Sequence, residues 1–307
     1  MGIFITSLRV PSSDGIHTLA GVAAVPAGRP RAILHIVHGM TEHISRYTPT
    51  MRAFAEAGIL AVGYDNLGHG YTAKEGEHGF IAEQDGHLLL AKDVALFAAA
   101  VKERYGKDLP YILMGHSMGS FIVRLAAATT FRPDKLIVMG TGGKNPLAGV
   151  ALALIAVNQK KYGAKHYSPF LDKLAFGSYN DRFRAEGDAR NLWLTTLPEV
   201  RKKYAADPLC SFRFTVSAMG DLIRLLKETN IRAWYDALDS SLPVFLVAGS
   251  EDPVGNFGKG VREVYDKLIA TGHNARMKLY EGARHEILND FSRDEVLADL
   301  LAFTLEK

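Results

Sequence analysis

The stretch from Pro110 to Ala128 constrains the fold of this chain more than any other. A short apolar run, Tyr111-Ile112-Leu113-Met114, leads into Gly115-His116-Ser117-Met118-Gly119, and Phe121, Ile122, Leu125 and Ala126 then recur at helical spacing up to Ala128. This predicts a strand, a sharp turn and a helix. Such a turn pushes the Ser117 hydroxyl clear of the backbone, and glycines two residues before and after it let strand and helix pass without a Cβ clash. Ser117 is therefore a candidate nucleophile, provided that the units around it build a matching sheet.

The flanking sequence predicts such a sheet. Ile3 to Val10 and Thr18 to Val25 alternate apolar and polar residues around Ser12-Ser13-Asp14-Gly15, as an antiparallel hairpin at a sheet edge would. Ala32 to Val37 is a near-continuous apolar run that opens at His38-Gly39-Met40, the signature of a buried parallel strand. A helix over Tyr47 to Ala57, a strand over Ile59 to Tyr64, a helix over His87 to Tyr105 and a strand over Lys135 to Met139 continue the alternation. Repeated βα units imply right-handed crossovers and a doubly wound, mostly parallel sheet with helices on both faces. From Lys144 to Arg232 the strand pattern gives way to helical or irregular sequence rich in Leu, Met, Phe and Tyr. We read 144–232 as a helical cap inserted between a first core segment, 1–143, and a second, 233–307. The second resumes with strands Pro243 to Ala248 and Arg276 to Tyr280, a helix from Val261 to Thr271 and a closing helix from Asp294 to Leu305.

A serine nucleophile needs a base within hydrogen-bond reach and a third group to orient it, each at a strand end on the same sheet edge. Two late loops qualify: Gly249-Ser250-Glu251-Asp252-Pro253-Val254 and Glu281-Gly282-Ala283-Arg284-His285-Glu286. Among the 11 histidines, His285 alone lies just past a late strand and downstream of a carboxylate loop, which makes it the candidate base. Asp252 is preferred to Glu251 as the acid, because its shorter side chain beside Pro253 is held more rigidly. Acyl transfer also needs donors for a developing oxyanion, and the backbone N–H groups of Met118, at the helix start, and Met40, after His38-Gly39, are the candidates.

Other chemistries fit less well. His38 and His43 flank Glu42, but the spacing is not the helical H-E-x-x-H arrangement and Gly39 opens a loop, so no metal is expected. The glycines of Leu67-Gly68-His69-Gly70 and Gly140-Thr141-Gly142-Gly143 lack dinucleotide or Walker spacing, so no cofactor is expected either. With 36 basic against 33 acidic residues and only short basic runs, the chain carries no nucleic-acid footprint. Its single cysteine, Cys210, has no base near it in sequence and reads as packing; it fits a reducing, cytoplasmic setting. No signal peptide is read at Met1-Gly2-Ile3-Phe4-Ile5. The longest apolar run, Leu147 to Val157, is too short to span a bilayer; apolar on every side, it is expected to pack within the cap or to line an acyl pocket and touch lipid at its rim.

Taken together, His38-Gly39-Met40-Thr41-Glu42-His43, Asp65-Asn66-Leu67-Gly68-His69-Gly70, Gly115-His116-Ser117-Met118-Gly119, Gly249 to Val254 and His285 resemble the α/β-hydrolase superfamily. Within it they resemble the monoacylglycerol lipase and lysophospholipase branch, which is grouped with the serine aminopeptidases. The resemblance implies an α/β-hydrolase fold with an eight-stranded, mostly parallel sheet. It also implies Ser117 as nucleophile, Asp252 as acid, His285 as base and the N–H groups of Met40 and Met118 as oxyanion hole. The expected activity is cofactor-free cleavage of carboxylic esters of single-chain lipids through an acyl-enzyme, with transient membrane or micelle contact through the cap. A short-acyl carboxylesterase, a peptidase or amidase, and a catalytically silent ligand-binding member of the fold are the alternatives. Tyr71-Thr72 departs from the family pattern, which often has a small residue and a serine there.

Overall fold

A computed structural model describes residues 2–187 and 191–306. Its strands are β1 Phe4–Pro11, β2 Thr18–Val25, β3 Ile33–Val37, β4 Leu60–Tyr64, β5 Tyr111–His116, β6 Lys135–Met139, β7 Val244–Gly249 and β8 Ala275–Tyr280. They form one sheet in the order β1-β2-β4-β3-β5-β6-β7-β8. β1 pairs antiparallel with β2 and β2 with β4, as the alternating hairpin sequence predicts, and every pairing from β4 through β8 is parallel. The chain thus has the α/β-hydrolase fold.

Helices α1 Thr48–Glu56, α2 Gly86–Tyr105 and α3 Met118–Thr129 connect the early strands. Between β6 and β7 stand α4 Ala148–Tyr162, α5 Pro169–Phe176, α6 Pro198–Ala206, α7 Val216–Glu228 and α8 Arg232–Ala237. The chain closes with α9 Lys259–Ala270 and α10 Arg293–Leu305. Side chains alternate between the sheet faces, so Leu113, Leu136 and Val138 pack with α2, α3 and α9. Their neighbours Ile112, Met114, Ile137 and Met139 pack with α1 and α10 on the other face. The central strands are buried on both faces, which is why they read as continuous apolar runs.

The register fixes where function can sit. Val37 pairs with Gly115, His116 with Met139, and Gly249 with Tyr280, so β3, β5, β6, β7 and β8 end along one edge of the sheet. The loops after these strands face one another there, as expected for ligand sites in parallel sheets.

The segment between β6 and β7 is helical, and α8 runs past residue 232, where the sequence puts the end of the cap. Of the two expectations for Leu147 to Val157, plain packing within the cap does not describe it: only Ala148 and Ile155 of α4 are buried, whereas Leu147 just before it, Val150 and Val157 are 65%, 59% and 65% exposed. It rests on α7 along one side, and the remaining apolar sides face a cavity and solvent. No helix among the described residues is long and apolar enough to cross a membrane.

Candidate active site

β5 ends at His116, and the chain turns at Ser117 with φ 55° and ψ −121°. The glycines on either side explain how so tight a turn packs. A Cβ at Gly115 would lie 2.2 Å from the Gly119 carbonyl oxygen, and one at Gly119 would lie 2.1 Å from the carbonyl oxygen of Val37 on β3. The Ser117 N–H donates to the Met139 carbonyl (3.0 Å), while its own carbonyl accepts from the Ser120 hydroxyl (2.6 Å). The backbone is thereby held on both sides, and the half-buried Ser117 side chain is left to a cavity.

His285 follows β8 and is almost fully buried. Its Nδ1 lies 2.9 Å from Asp252 Oδ2, and the other carboxylate oxygen accepts the Val254 N–H at 2.9 Å. A carboxylate only accepts, so in the neutral imidazole this contact puts the ring proton on Nδ1 and the lone pair on Nε2. That Nε2 is buried without a hydrogen-bond partner among the described residues. His116 and Trp193 flank the ring, with centroids at 4.7 Å and 5.0 Å. Glu251, the other acid of the β7 loop, points elsewhere and pairs with Arg182 at 3.1 Å. Ser117 and His285 line one cavity, together with Met40 and Met118.

The loop carrying Met40 is held by two buried histidines whose role the sequence does not reveal. His38 Nε2 accepts the Asn66 N–H (2.9 Å), so its Nδ1–H donates to the Gly39 carbonyl (2.8 Å). Because the Gly39 carbonyl and the Met40 N–H share a peptide plane, fixing one aims the other. His69 Nδ1–H donates to the Leu67 carbonyl (2.9 Å), and its Nε2 accepts the Thr41 N–H (3.3 Å). Burial pushes His69 down to about 3 and lowers His38 as well, which keeps both rings neutral with one donor and one acceptor each. Met118 is the first residue of α3, where an N–H has no intrahelical partner.

Glu42, read in the sequence only as a rejected metal ligand, is the hub of a buried network. Its Oε1 accepts the Gly39 N–H (2.6 Å) and the Tyr47 hydroxyl (3.0 Å), and its Oε2 accepts Arg46 (2.7 Å). Arg46 also binds Glu286 through two contacts of 2.8 Å and 2.7 Å. His116 Nδ1 lies 3.2 Å from Glu42, and its Nε2 lies 3.2 Å from the His285 carbonyl. Burial alone would raise the Glu42 carboxyl, but His116 and Arg46 outweigh it and hold it well below the usual range. The same carboxylate pushes His116 up against the burial that would lower it. This network joins the Met40 loop to the His285 loop. Sequence offers one signal for it, the unusual crowding of Glu42, His43, Arg46 and Tyr47 just after a buried strand.

Two further residues fall where the sequence gives no hint. Thr72, at the departure from the family pattern, is buried and donates to the Asp65 carbonyl (2.6 Å) while accepting the Ala20 N–H (2.8 Å). Cys210 does have a base near it in space, since His43, Asp207 and Cys210 each bring a ligand-type atom within 4.8 Å of the others. His43 Nε2 is already 2.9 Å from Asp207, and burial pushes the Cys210 thiol up to about 12, so the thiol stays protonated. These three are best described as a hydrogen-bonded pair beside a packed thiol.

The cavity over Ser117 has a volume of about 1440 Å³. Ligand pockets commonly run from about 300 to 1,000 Å³. Leu154 and Ile155 of α4 and Met219, Leu222 and Leu226 of α7 line it, so its far wall belongs to the segment between β6 and β7.

Comparison with known proteins follows this geometry. Residues 28–292 match the family described as serine aminopeptidase, S33. The chain belongs to that family of α/β-hydrolases. A similar S33 relative is a monoacylglycerol lipase of Mycolicibacterium smegmatis, 27% identical over 312 residues that cover 96% of this chain and 98% of the relative. The human monoglyceride lipase is 29% identical over 264 residues, 85% of this chain and 77% of its own. Among solved structures, a thermostable carboxyl esterase from Bacillus coagulans in complex with glycerol superposes with a TM-score of 0.91 at 31% identity, covering 99% of this chain and 98% of that one. This S33 member is a carboxylic ester hydrolase.

Proposed function

We propose that the chain is a serine hydrolase that cleaves carboxylic esters of single-chain lipids, monoacylglycerol or lysophospholipid, through an acyl-enzyme. Ser117 is the nucleophile. His285 Nε2 takes its proton as the hydroxyl attacks the ester carbonyl, and Asp252 holds the imidazole in the required tautomer and stabilises the imidazolium. The N–H groups of Met40 and Met118 receive the developing oxyanion. The imidazolium then gives its proton to the departing alcohol, and water, activated by the same ring, releases the fatty acid.

The observation that carries the lipid reading is the cavity: at about 1440 Å³ and walled by apolar side chains of α4 and α7, it has room for an acyl chain that a short-acyl esterase has no use for. An amidase acting on free amino groups needs an unpaired acid to hold its substrate, and Glu42 and Glu286, beside Ser117 in the cavity wall, both bind Arg46. The exposed Leu147, Val150, Val157, Phe170 and Leu174, near Lys160 and Lys161, suit transient contact of the cap with a micelle or membrane surface. A cytoplasmic setting fits the single cysteine. The test is one panel: p-nitrophenyl esters of rising chain length, monoacylglycerol, lysophosphatidylcholine and aminoacyl amides, alongside labelling by a fluorophosphonate probe. The reading expects labelling at Ser117 and turnover that rises with chain length. A preference for acetyl over medium chains favours the short-acyl carboxylesterase instead.

A further inference from the structure

Thr41 has a φ of 51°, in the left-handed region that a β-branched residue rarely occupies. It directly follows Met40, whose N–H shares a peptide plane with the Gly39 carbonyl held by His38, so the conformation of Thr41 sets the far side of the loop that presents that N–H. The Thr41 N–H to His69 contact, on the sheet side of the site, is a long 3.3 Å. The stronger ties come from above. Tyr204, on α6, donates its hydroxyl to the Thr41 carbonyl (2.9 Å), and the same oxygen accepts from the Thr41 hydroxyl (2.8 Å). Both hydrogen bonds are made by one side-chain atom on one residue, an arrangement that fits Thr41 in this conformation and lapses when it relaxes.

Two more contacts seat α6 on the same loop. Arg46 lies over the Tyr204 ring, 4.9 Å from its centroid, and His43 Nε2 is 2.9 Å from Asp207 just past the end of α6. Arg46 is in turn fixed by Glu42 and Glu286. The segment from Pro198 to Cys210 therefore touches the Met40 loop at Thr41, His43 and Arg46, while Tyr204 and Cys210 also line the cavity.

We propose that Tyr204 is a positioning residue: its hydroxyl locks Thr41 in the left-handed conformation and so aims the Met40 N–H at the oxyanion, making a complete oxyanion hole depend on a seated cap. This rests on the reading of Met40 as an oxyanion donor. The consequence is a gate on chemistry, not on entry. When α6 lifts, substrate still reaches Ser117, but Thr41 relaxes towards its preferred conformations, and the Met40 N–H, then held only from the Gly39 side by His38, loses its aim. A left-handed non-glycine residue is disfavoured enough to shift the population of the competent loop by about tenfold to a hundredfold once its restraint is gone.

The experiment uses the full-length chain and Tyr204→Phe, which removes the hydroxyl and keeps the ring under Arg46. The expected result is a fall in kcat of about tenfold to a hundredfold on both p-nitrophenyl acetate and p-nitrophenyl decanoate, with KM changed by less than about twofold. Inhibition by a trifluoromethyl ketone, whose adduct carries the oxyanion, should weaken by the same factor as kcat/KM, whereas binding of the matching alkyl alcohol should not change. Thr41→Asn in the Tyr204→Phe background should recover part of the lost kcat, because asparagine tolerates the left-handed region. A Tyr204→Phe protein with unchanged kcat overturns the proposal, and so does a loss confined to the decanoate or expressed only in KM. Wild-type protein that neither hydrolyses the esters nor binds the ketone overturns the catalytic reading itself, an outcome visible before any variant is compared. A lowered melting temperature for Tyr204→Phe with intact kcat would mark the contact as purely structural.

Discussion

The sheet and the segment between β6 and β7 use apolar residues in opposite ways. In the sheet, Ile112, Leu113 and Met114 are wholly buried, and their alternation between two faces leaves no freedom in register. In the insertion, Leu147, Val150, Val157, Phe170 and Leu174 stay exposed, while Leu154 and Ile155 face a cavity. The sheet spends its apolar surface on a fixed framework that brings the loops after β3, β5, β7 and β8 together. The insertion keeps its apolar surface for something that the chain itself does not supply. On the proposed reading, positions that hold reacting groups belong to the first region and positions that choose among substrates to the second, and variants in the two should fail differently.

The largest effect should come from the sheet side. Ser117→Ala is expected to lower kcat by about three to six orders of magnitude on every ester, with the fold intact by circular dichroism. Retention of more than about a tenth of wild-type turnover would remove Ser117 from the mechanism. Next in size is the acid. Asp252→Asn should cost about three to four orders, since the amide stabilises the wrong imidazole tautomer. Glu251→Gln, which loses only a half-exposed pair with Arg182, should change kcat by less than about threefold. Reversed outcomes would reassign the acid to Glu251.

The placement of these residues at strand ends was legible in the sequence for a physical reason. Ser117 and Asp252 each follow a strand whose apolar run is continuous because it is buried on both faces, whereas His285 follows β8, a partly buried strand in which Arg276 and Lys278 alternate with Met277 and Leu279; the turn signals that end all three are local. The hairpin of β1 and β2 was readable in the same way. What could not be read depends on contacts far apart in the chain. Thr41 carries no local sign of a left-handed backbone, because no β-branched residue advertises one, and its partner Tyr204 is 163 positions away. Glu42 binds Arg46 locally, but its links to His116 and, through Arg46, to Glu286 span most of the chain. The helix α4 could be read only as a choice between cap core and pocket wall, because an all-round apolar pattern signals burial only when something inside the protein covers each side.

A smaller effect should separate the regions from the other direction. Leu154 is on α4 at the cavity wall, 37% exposed, so a polar replacement there should be tolerated by the fold. Each methylene buried contributes up to about 0.8 kcal/mol, and kcat/KM of the wild type should climb several-fold per two carbons until the cavity is full. Leu154→Asp should depress turnover of a decanoyl ester by about tenfold or more, while acetyl-ester turnover stays within about twofold. Equal losses on both esters would mean that α4 acts on the framework and not on the acyl chain, and the contrast between the two regions would fail at that point.

The smallest predicted effect concerns the seam where the regions meet, and it is read in stability. His87, near the start of α2, lies between two carboxylates of α7: its Nδ1 is 3.2 Å from Asp221, and its Nε2 is 3.3 Å from Glu228. Arg224 approaches the same Asp221 oxygen at 3.5 Å. Burial alone would lower the imidazole, yet the hydrogen bonds to Asp221 and Glu228 outweigh it and push it up to about 9. A group whose pKa is higher in the folded state than its ordinary value of 6.5 stabilises the fold fully below that value and loses this contribution as pH rises towards 9. Glu228 is 37% exposed, so solvent screening reduces the contribution to the order of 1–2 kcal/mol, a few degrees in Tm for a chain of this size. His87→Gln should therefore melt a few degrees below wild type at pH 6, and the gap should close by about pH 9.5, as the wild-type imidazole loses its proton. Because α7 carries Met219, Leu222 and Leu226 into the cavity wall, kcat/KM for the decanoyl ester should follow the same pH course in wild type relative to the variant, whereas acetyl-ester turnover should not. A melting gap that stays constant across this range would show His87 to be packing alone.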